Sequence, residues 1–334
     1  MSQSTRGVTL ASLMGLSEAV NSHTAGLASS IGFHSIWVAE TTSTEAFSSL
    51  AAIGAAEPSL DLGTGVLALQ LRTPLLAAMG AATLQRHHPD RDILLGVGIS
   101  SPVVVGNWHG ASYSARPLAQ TREYLKLLNE LLTGESVTFD GDFYHCKKVR
   151  LGVRNERRPK VILGALNRKM LHSAGELADG VLLNYLPATA VPWCVEQVRE
   201  GERAAGRPVG SCEIYAYVHV SVTSLEVARD SARKDLFSYA VVDSYAKAFS
   251  RAGYADEVAA IRSAHSERNR EGALAAVSDR MIMEIDVVGD SDHVSAAVAA
   301  YEAAGVDHAI IMALPWGQDR SAVIDATLRA AAPL

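Results

Sequence analysis

Cysteine is scarce in this chain of 334 residues: Cys146, Cys194 and Cys212 lie far apart and form no CxxC pair. This spacing excludes a disulfide framework and a zinc knuckle. Basic residues are in the minority, since 30 Lys and Arg stand against 36 Asp and Glu, which gives a net charge of −6. Proteins that bind nucleic acid usually carry a basic surplus, so we expect no nucleic-acid partner.

Long apolar stretches are also missing. The longest apolar region, Val66 to Leu84, is interrupted by Gln70, Arg72 and Pro74, so we expect no membrane span. The first six residues lack the apolar core of a signal peptide. Hydrophobic residues nevertheless make up 48% of the chain and charged residues 20%. This composition is typical of a globular protein with a large core, and we expect it in the reducing cytoplasm.

Short apolar runs alternate with longer segments of helical periodicity. The runs are Gly7–Ser12, Phe33–Ala39, Leu60–Val66, Asp92–Gly98, Lys160–Gly164, Gly180–Asn184, Glu213–Val220 and His308–Ala313. Continuous apolar runs are typical of buried parallel strands, and eight β-α steps favour a closed barrel over an open doubly wound sheet. The pattern therefore predicts the α/β class, with one (β/α)₈ TIM barrel domain over residues 1–334.

Three segments depart from this repeat and are predicted to be insertions, near residues 99–115, 135–150 and 222–287. The first is rich in Gly, Ser and Pro over Ile99–Tyr113, which predicts a loop. The second contains Asp140-Gly141, a dipeptide that favours a hairpin turn. The third is long, charged and helical in period, so we predict a helical excursion after the seventh strand.

The barrel prediction places the active site at the carboxyl ends of the strands. Gly98–Ser101 is a glycine-rich strand end where backbone amides can approach a ring or a phosphate, although a turn that merely needs glycine fits equally well. Gly164–Asn167 leads into a predicted helix, whose first N–H groups attract phosphate. Arg168 and Lys169 add positive charge there, unless they are ordinary solvated side chains. No GxGxxG motif is present, which excludes a Rossmann site.

Acid and base candidates lie at the same end of the predicted barrel. Glu40 ends the second predicted strand and either contacts a cofactor or a neighbouring side chain, or caps the next helix. His109 lies in the loop after the fourth strand, and His219 near the end of the seventh. His87 and His88 fall on the opposite face, where surface histidines are more common than metal ligands. No HExxH, Walker A or GxSxG motif occurs, so we expect no metal centre and a bound cofactor that carries the chemistry.

Several motifs, in this order, resemble the luciferase-like monooxygenase superfamily, in particular its branch that uses the deazaflavin coenzyme F420. The matching segments are Gly32–Glu40, Leu62–Val66 with Arg72–Pro74, Leu94–Gly98 with Trp108–Gly110, Arg116–Leu118 with Thr121–Tyr124, Phe139–Tyr144, Gly175–Asn184 and Ala303–His308. The resemblance implies a barrel with an insertion over its top, a homodimer, and a flavin-like ring at the strand ends. It also implies a non-prolyl cis peptide at Gly65–Val66 behind that ring.

The resemblance and the strand ends together predict the residues that bind the cofactor. These are Glu40, Thr41, Thr64, Gly65, Val66, Gly98, Ile99, Ser100, Ser101, Gly164, Ala165, Leu166, Asn167 and Arg168. The oligoglutamate tail of the deazaflavin calls for further cations, for which Arg72, Arg168 and Lys169 are candidates.

Two positions depart from the family pattern. Several members carry His directly after the acidic residue that ends the second strand, where this chain has Thr41. Sugar-phosphate dehydrogenases of the family carry Glu after the glycines of the fourth strand, where this chain has Ser101. The departures argue against a sugar-phosphate dehydrogenase. They leave the catalytic acid or base open among Glu40, His109 and Tyr185.

The resemblance implies an F420-dependent oxidoreductase that transfers a hydride to or from a small organic substrate. A deazaflavin carries hydride without activating oxygen, whereas FMN can add oxygen. An FMN-dependent monooxygenase and a non-catalytic barrel that binds a flavin-like ligand therefore stay open as alternatives. Aromatic residues of the insertions indicate either a hydrophobic substrate or helix packing: Trp108, Tyr113, Phe237, Tyr239 and Tyr245.

Overall fold

A closed barrel of eight parallel strands forms the centre of the computed structural model, which describes residues 4–333. The strands of the chain are β1 Thr5–Thr9, β2 Ser35–Val38, β3 Asp61–Thr64, β4 Leu67–Ala68, β5 Ile93–Gly98, β6 Val137–Asp140, β7 His145–Val149, β8 Lys160–Gly164, β9 Gly180–Leu183, β10 Glu213–Val222, β11 Asp286–Gly289 and β12 His308–Ala313. Around the barrel the order is β1-β2-β3-β5-β8-β9-β10-β12, and the pairing of β12 with β1 closes it. The predicted (β/α)₈ barrel is confirmed.

Helices connect the strands and cover the outside of the barrel. They are α1 Glu18–Ser30, α2 Ala46–Ala56, α3 Pro74–His87, α4 Pro117–Leu132, α5 Arg168–Leu177, α6 Val191–Ala204, α7 Leu225–Ala240, α8 Asp243–Phe249, α9 Ala255–Ser266, α10 Arg270–Ala275, α11 Asp279–Ile285, α12 Ser291–Ala303 and α13 Arg320–Ala330. Within residues 4–333, no helix combines the length and the apolar character needed to cross a lipid bilayer.

The barrel strands are mostly apolar because both of their faces are buried. In β2, Trp37 points into the barrel interior, whereas Ile36 and Val38 pack under the surrounding helices. In β10, Tyr215 and Tyr217 likewise point inward. Successive side chains of a strand point to opposite faces, so a strand between a packed interior and a layer of helices needs no polar face.

Part of the first insertion, which the sequence predicts to be a loop, is a helical turn. Val103–Trp108 forms a π-helical turn, in which the N–H of His109 donates to the carbonyl of Val104. The hydroxyl of Ser101 accepts from the N–H of Val104 at 3.2 Å and thereby caps the turn. The prediction of a loop over Ile99–Tyr113 is wrong for this part, because a single turn held by local hydrogen bonds has no apolar period to detect.

The second insertion contains an antiparallel hairpin of β6 and β7. The carboxylate of Glu123, on α4, accepts from the backbone N–H groups of Asp142, Phe143 and Tyr144 at 2.6–2.9 Å. One carboxylate thus holds the whole turn that follows Asp140. The sequence signal at Asp140-Gly141 correctly indicated a hairpin, although the connection is four residues long.

The third insertion contains the predicted helices, α7 to α11, but it is not helical to its end. It ends in β11, which pairs in parallel with His219–Val222 of β10. This pairing is possible because β10 has ten residues and extends beyond its contact with β9, which ends at Ala216. A strand as short as Asp-Val-Val-Gly carries no recognisable pattern of its own. The helices of the insertion have a separate core that includes Phe249, Tyr254 and Met281.

The amino-terminal end of the barrel is closed by a polar cluster around Glu213. Its carboxylate accepts from the hydroxyl of Tyr215 at 2.8 Å and from the ammonium of Lys160 at 3.2 Å. The ring of His308 lies 3.7 Å from the same oxygen and stacks on Tyr215. The His308 imidazole, the Tyr215 hydroxyl and the Lys160 ammonium lower the pKa of Glu213 to about 2.

This lowered pKa predicts a pH-dependent contribution to stability. Because the pKa of Glu213 is lower in the folded state, its contribution is present above its unfolded pKa of about 4.5 and is lost as the pH falls toward 2. We expect Glu213→Gln to lower the free energy of unfolding by about 2 kcal/mol at pH 7, because it removes the charge that these groups stabilise. The loss is smaller than the full pKa shift implies, since one third of the Glu213 side chain is exposed to solvent. Urea unfolding at pH 7 and pH 3 measures the difference.

The difference between Glu213→Gln and the parent chain is expected to shrink at pH 3. The exposed Glu156 provides a matched control, since Glu156→Gln removes the same charge without breaking a described hydrogen bond. An equal loss of stability at both pH values for Glu213→Gln would contradict the assignment.

Candidate active site

The peptide bond between Gly65 and Val66, just after β3, is cis. This is the form that the resemblance implies for that bond. The hydroxyl of Tyr217 donates to the carbonyl of Gly65 at 2.8 Å, and the hydroxyl of Thr9 lies 3.3 Å from the Tyr217 oxygen. A Cβ at position 65 would lie 1.7 Å from the Tyr217 oxygen, so the close approach requires glycine. The bulge after β3 is therefore held from inside the barrel by β10.

Val66 rests on the glycines that end two other strands. A Cβ at Gly98 would lie 2.9 Å from one methyl group of Val66, and a Cβ at Gly164 would lie 3.4 Å from the other. The hydroxyl of Thr64 donates to the carbonyl of Gly96 at 2.8 Å, which joins the same bulge to β5. We call Val66, Gly98 and Gly164 the glycine floor. It is a surface of backbone and methyl groups, which suits the face of a planar ring.

Beside the glycine floor, α5 begins with free backbone donors. Asn167 is its N-cap in an extended conformation, and its side chain makes no hydrogen bond to the first turn. The side-chain amide donates instead to the carbonyl of Ser244 at 3.1 Å. The first N–H groups of a helix lack partners within it and attract anions. This end of α5 therefore offers free N–H groups of the kind that bind phosphate. The phosphate site at Gly164–Asn167 stays a prediction.

A cation that the sequence did not indicate also lies at this helix end. Arg251, from the third insertion, donates to the carbonyl of Leu166 at 2.7 Å and lies 3.8 Å above the ring of Trp193. Burial lowers the pKa of Arg251, but a guanidinium stays charged at neutral pH. Arg251 is 85 residues from Leu166 along the chain, so only the tertiary fold brings it there.

Two of the three cations that the sequence indicated are paired with carboxylates. Arg168 is 70% exposed and pairs with Glu200 at 3.3 Å. Arg72 pairs with Glu40 at 2.8 Å and also with Glu45. Each of these charges already has a carboxylate partner, whereas Lys169 is exposed.

The remaining predicted cofactor residues line the two strand ends. Ser100 donates its N–H to the side chain of Gln70 at 3.4 Å, and Ser101 caps the π-helical turn. Ile99 is partly buried against the main core. Ala165 is buried and donates its N–H to the carbonyl of Leu182 at 3.2 Å. These contacts fix the backbone around the glycine floor.

Glu40 has both of the roles that the sequence left open. Its carboxylate holds Arg72, and it also accepts from the N–H of Ala46 at 3.3 Å, at the start of α2. His109 reaches the same side of the barrel mouth, where its Nε2 lies 2.7 Å from the carbonyl oxygen of Thr41. Because a carbonyl can only accept, Nε2 carries the hydrogen and Nδ1 is the basic atom of the neutral ring. Glu40, Thr41 and His109 therefore form one group.

Tyr185 is not part of that group, since β9 and β2 lie on opposite sides of the barrel. It is buried, and its hydroxyl donates to Asp235 at 2.8 Å. Its ring lies 3.8 Å from that of Tyr239 and 4.1 Å from that of His219. Burial, with Tyr239 and Asp235 nearby, raises the pKa of Tyr185 well above its usual value, so the phenol stays protonated.

His219 is buried beside Tyr185 and faces β9 and β11. Its Nε2 lies 2.8 Å from Oδ1 of Asn184, and its Nδ1 lies 3.1 Å from Oδ1 of Asp286. Burial lowers the pKa of His219 to about 4, which keeps the ring neutral at physiological pH. The same burial, with Asp286 nearby, raises the pKa of Asp235 to about 7.

The sequence left open whether the aromatic residues of the insertions contact a substrate or pack between helices. Phe237, Tyr239 and Tyr245 pack in the core of the third insertion. Trp108 is 58% exposed, and Tyr113 is also exposed. Helix packing accounts for the first three, and only the two residues of the first insertion present aromatic surface to solvent.

Comparison with known proteins agrees with this geometry. The family model described as luciferase-like monooxygenase matches residues 7–308. A Mycobacterium tuberculosis protein, provisionally named a coenzyme F420-dependent oxidoreductase, is 29% identical over 304 residues, which cover 84% of this chain and 87% of that protein. A 5,10-methylenetetrahydromethanopterin reductase of Methanolobus tindarius is 27% identical, with 90% and 92% covered.

The solved structures show the same fold. The coenzyme F420-dependent tetrahydromethanopterin reductase of Methanopyrus kandleri superposes with a TM-score of 0.82 at 21% identity, covering 99% of this chain and 98% of that one. At this identity the likeness shows the barrel and its insertions, but not the ligand.

Proposed function

Because the chain belongs to the luciferase-like monooxygenase family and is an oxidoreductase, we propose that it uses coenzyme F420 to transfer a hydride to or from a small organic substrate. The glycine floor beside the free amino-terminal end of α5 carries this proposal. A planar ring fits against Val66, Gly98 and Gly164, where side chains are small, and a phosphate-bearing tail fits the helix end. The names of relatives that match over most of the chain support F420 in particular.

When bound, F420 would supply a ring carbon that carries hydride and does not activate oxygen. The chain's own residues would orient it. Val66 would support one face of the ring, while Tyr217 fixes the carbonyl of Gly65 behind it. The helix end at Asn167 and the guanidinium of Arg251 would hold the phosphate.

Hydride transfer at a polar double bond also moves a proton, and His109 is the residue that we assign to it. Glu40 is held in an ion pair by Arg72, and the hydroxyl of Tyr185 donates to Asp235. The ring of His109 is exposed at the mouth, with Nδ1 available as a base. The predicted homodimer and the cytoplasmic location stay predictions.

Titration of the purified apo-protein with oxidised F420 and, separately, with FMN tests the proposal. We expect saturable binding of F420 in the micromolar range, followed by ligand fluorescence, and much weaker binding of FMN. Tight binding of FMN alone would support an oxygen-using monooxygenase instead. Binding of F420 without turnover by any reductant or acceptor would support a non-catalytic barrel.

The hydrogen bond behind the ring gives a second prediction. We expect Tyr217→Phe to weaken F420 binding about five-fold, because the loss of a buried hydrogen bond of about 1 kcal/mol leaves the Gly65 carbonyl unpaired and the bulge less fixed. Tyr215→Phe is the matched control. It removes a hydroxyl from the same face of β10 at the other end of the barrel, where it bonds to Glu213.

Tyr215→Phe is expected to change thermal stability but leave the F420 dissociation constant within two-fold of the parent value. If the two variants bind F420 equally well, the bulge is not part of the binding surface.

The two arginines near α5 give a third prediction. We expect Arg251→Leu to weaken F420 binding about ten-fold, which corresponds to about 1.4 kcal/mol for a charge-assisted contact with phosphate. Arg168→Leu should have less than a two-fold effect, because Arg168 is exposed and already paired with Glu200. Fluorescence titration measures both.

A deazaflavin riboside without the phosphate tail separates charge from packing in this experiment. It should bind the parent chain and Arg251→Leu equally well, since it has no phosphate to contact Arg251. The reverse ranking of the two arginine variants would indicate that the tail leaves the barrel on the outer side of α5.

A further inference from the structure

Three metal-ligating side chains meet beside the barrel mouth, outside the proposed cofactor site. His219 comes from β10, Asp235 from α7 and Asp286 from β11, and one ligand atom of each lies within 4.8 Å of the other two. We propose that His219, Asp235 and Asp286 bind one divalent transition-metal cation, which links the third insertion to the barrel. This site is independent of the proposed function, since no residue of the glycine floor takes part.

The negative charge of the cluster must be neutralised. His219 and Asp286 are at most 1% exposed, and within residues 4–333 neither Asp235 nor Asp286 forms an ion pair with a lysine or an arginine. Two carboxylates in a buried site repel one another and lose their hydration. They must therefore share protons or bind a metal ion.

One carboxylate oxygen of the cluster has no hydrogen-bond donor. Oδ2 of Asp286 is fully buried, and within residues 4–333 no N–H or hydroxyl group donates to it. Buried polar atoms are nearly always satisfied, so a carboxylate oxygen without a donor, in a side chain that lies among other potential ligands, indicates a binding partner such as a metal ion. This orphaned atom is an observation separate from the clustering of the three side chains.

The tautomer of His219 is the one that a metal ligand requires. Oδ1 of Asn184 can only accept, so Nε2 of His219 carries the hydrogen and the lone pair of Nδ1 faces Asp286. Asn184 is oriented by a second hydrogen bond, to the hydroxyl of Tyr245. Metal-binding histidines almost always donate their other N–H to an oxygen in this way.

The distances suit a metal ion as well. Nδ1 of His219 and Oδ1 of Asp286 are 3.1 Å apart. Two ligand atoms bound at about 2.1 Å to one tetrahedral ion are about 3.4 Å apart, so a small adjustment completes the geometry. The hydroxyl of Tyr185 donates to Asp235 at 2.8 Å and would orient that carboxylate. Three protein ligands leave a fourth position for water.

The donor set selects the class of ion. One imidazole nitrogen with two carboxylate oxygens suits Zn²⁺ or Mn²⁺, whereas Mg²⁺ prefers six oxygen ligands. Asp235 is partly exposed, whereas His219 and Asp286 are buried, so the ion would enter from the side of Asp235. Because α7 supplies Asp235, the bound ion would fix the third insertion against β10 and β11.

Calorimetric titration of the full-length protein tests this proposal. The protein is stripped with dipicolinate and dialysed, and Zn²⁺ is then added, with Mg²⁺ in a parallel titration. We expect one equivalent of Zn²⁺ to bind and to raise the unfolding temperature. Co²⁺ added to the stripped protein in place of Zn²⁺ should give visible absorption bands. Mg²⁺ should give no comparable binding.

Variants show whether the ion binds at this cluster. His219→Asn and Asp235→Asn are each expected to weaken Zn²⁺ binding by about 100-fold or more, because each removes a direct ligand. His23→Asn is the matched control, since His23 pairs with Asp325 at 3.0 Å on the surface and should bind no ion of its own. Asp235 is the least buried ligand, so its variant keeps the test informative if His219→Asn fails to fold.

The proposal is overturned if the stripped parent protein binds no Zn²⁺, which would mean that the carboxylates share protons instead. It is also overturned if Zn²⁺ binds but neither His219→Asn nor Asp235→Asn weakens the binding.

Discussion

Strand β10 places polar side chains at both ends of the barrel interior, because every second side chain of a strand points to the same face of the sheet. Tyr215, Tyr217 and His219 share its inner face. Tyr215 belongs to the polar cluster at the amino-terminal end, Tyr217 holds the Gly65 carbonyl, and His219 reaches Asn184 at the mouth. A shift of one residue in the pairing of β10 would turn all three outward and remove these contacts together.

The parts of the structure that depend on local pattern could be predicted from the sequence. Continuous apolar runs identified the eight barrel strands, and order along the chain then placed Glu40, Gly98 and Gly164 at one end. The cis bond at Gly65–Val66 came from the resemblance rather than from any propensity. The turn at Val103–Trp108 and strand β11 were missed because each is a few residues long and is defined by its partners, Ser101 and the end of β10.

Charge was harder to predict than position, since a charged residue near a site is available to a ligand only if no protein group neutralises it. Arg72 and Arg168 lie at suitable places along the chain, but carboxylates occupy both. Arg251, Asp235 and Asp286 belong to the third insertion, whereas His219 lies on β10, which pairs with β11. These residues are tens of positions apart along the chain from the groups that they contact. Only the packing of that insertion over the mouth brings them together.

An insertion also supplies a side chain at Thr41, where the chain departs from the family pattern. Several members carry an imidazole at this position, directly after the acidic residue, and this chain does not. The first insertion nevertheless brings His109 to the place, where it donates to the backbone carbonyl of Thr41 itself. Since a carbonyl is present whatever the side chain, Thr41 can anchor an imidazole without supplying one. The rim of the barrel thus has an imidazole beside the Glu40–Thr41 segment, although the residue that provides it lies in a different loop.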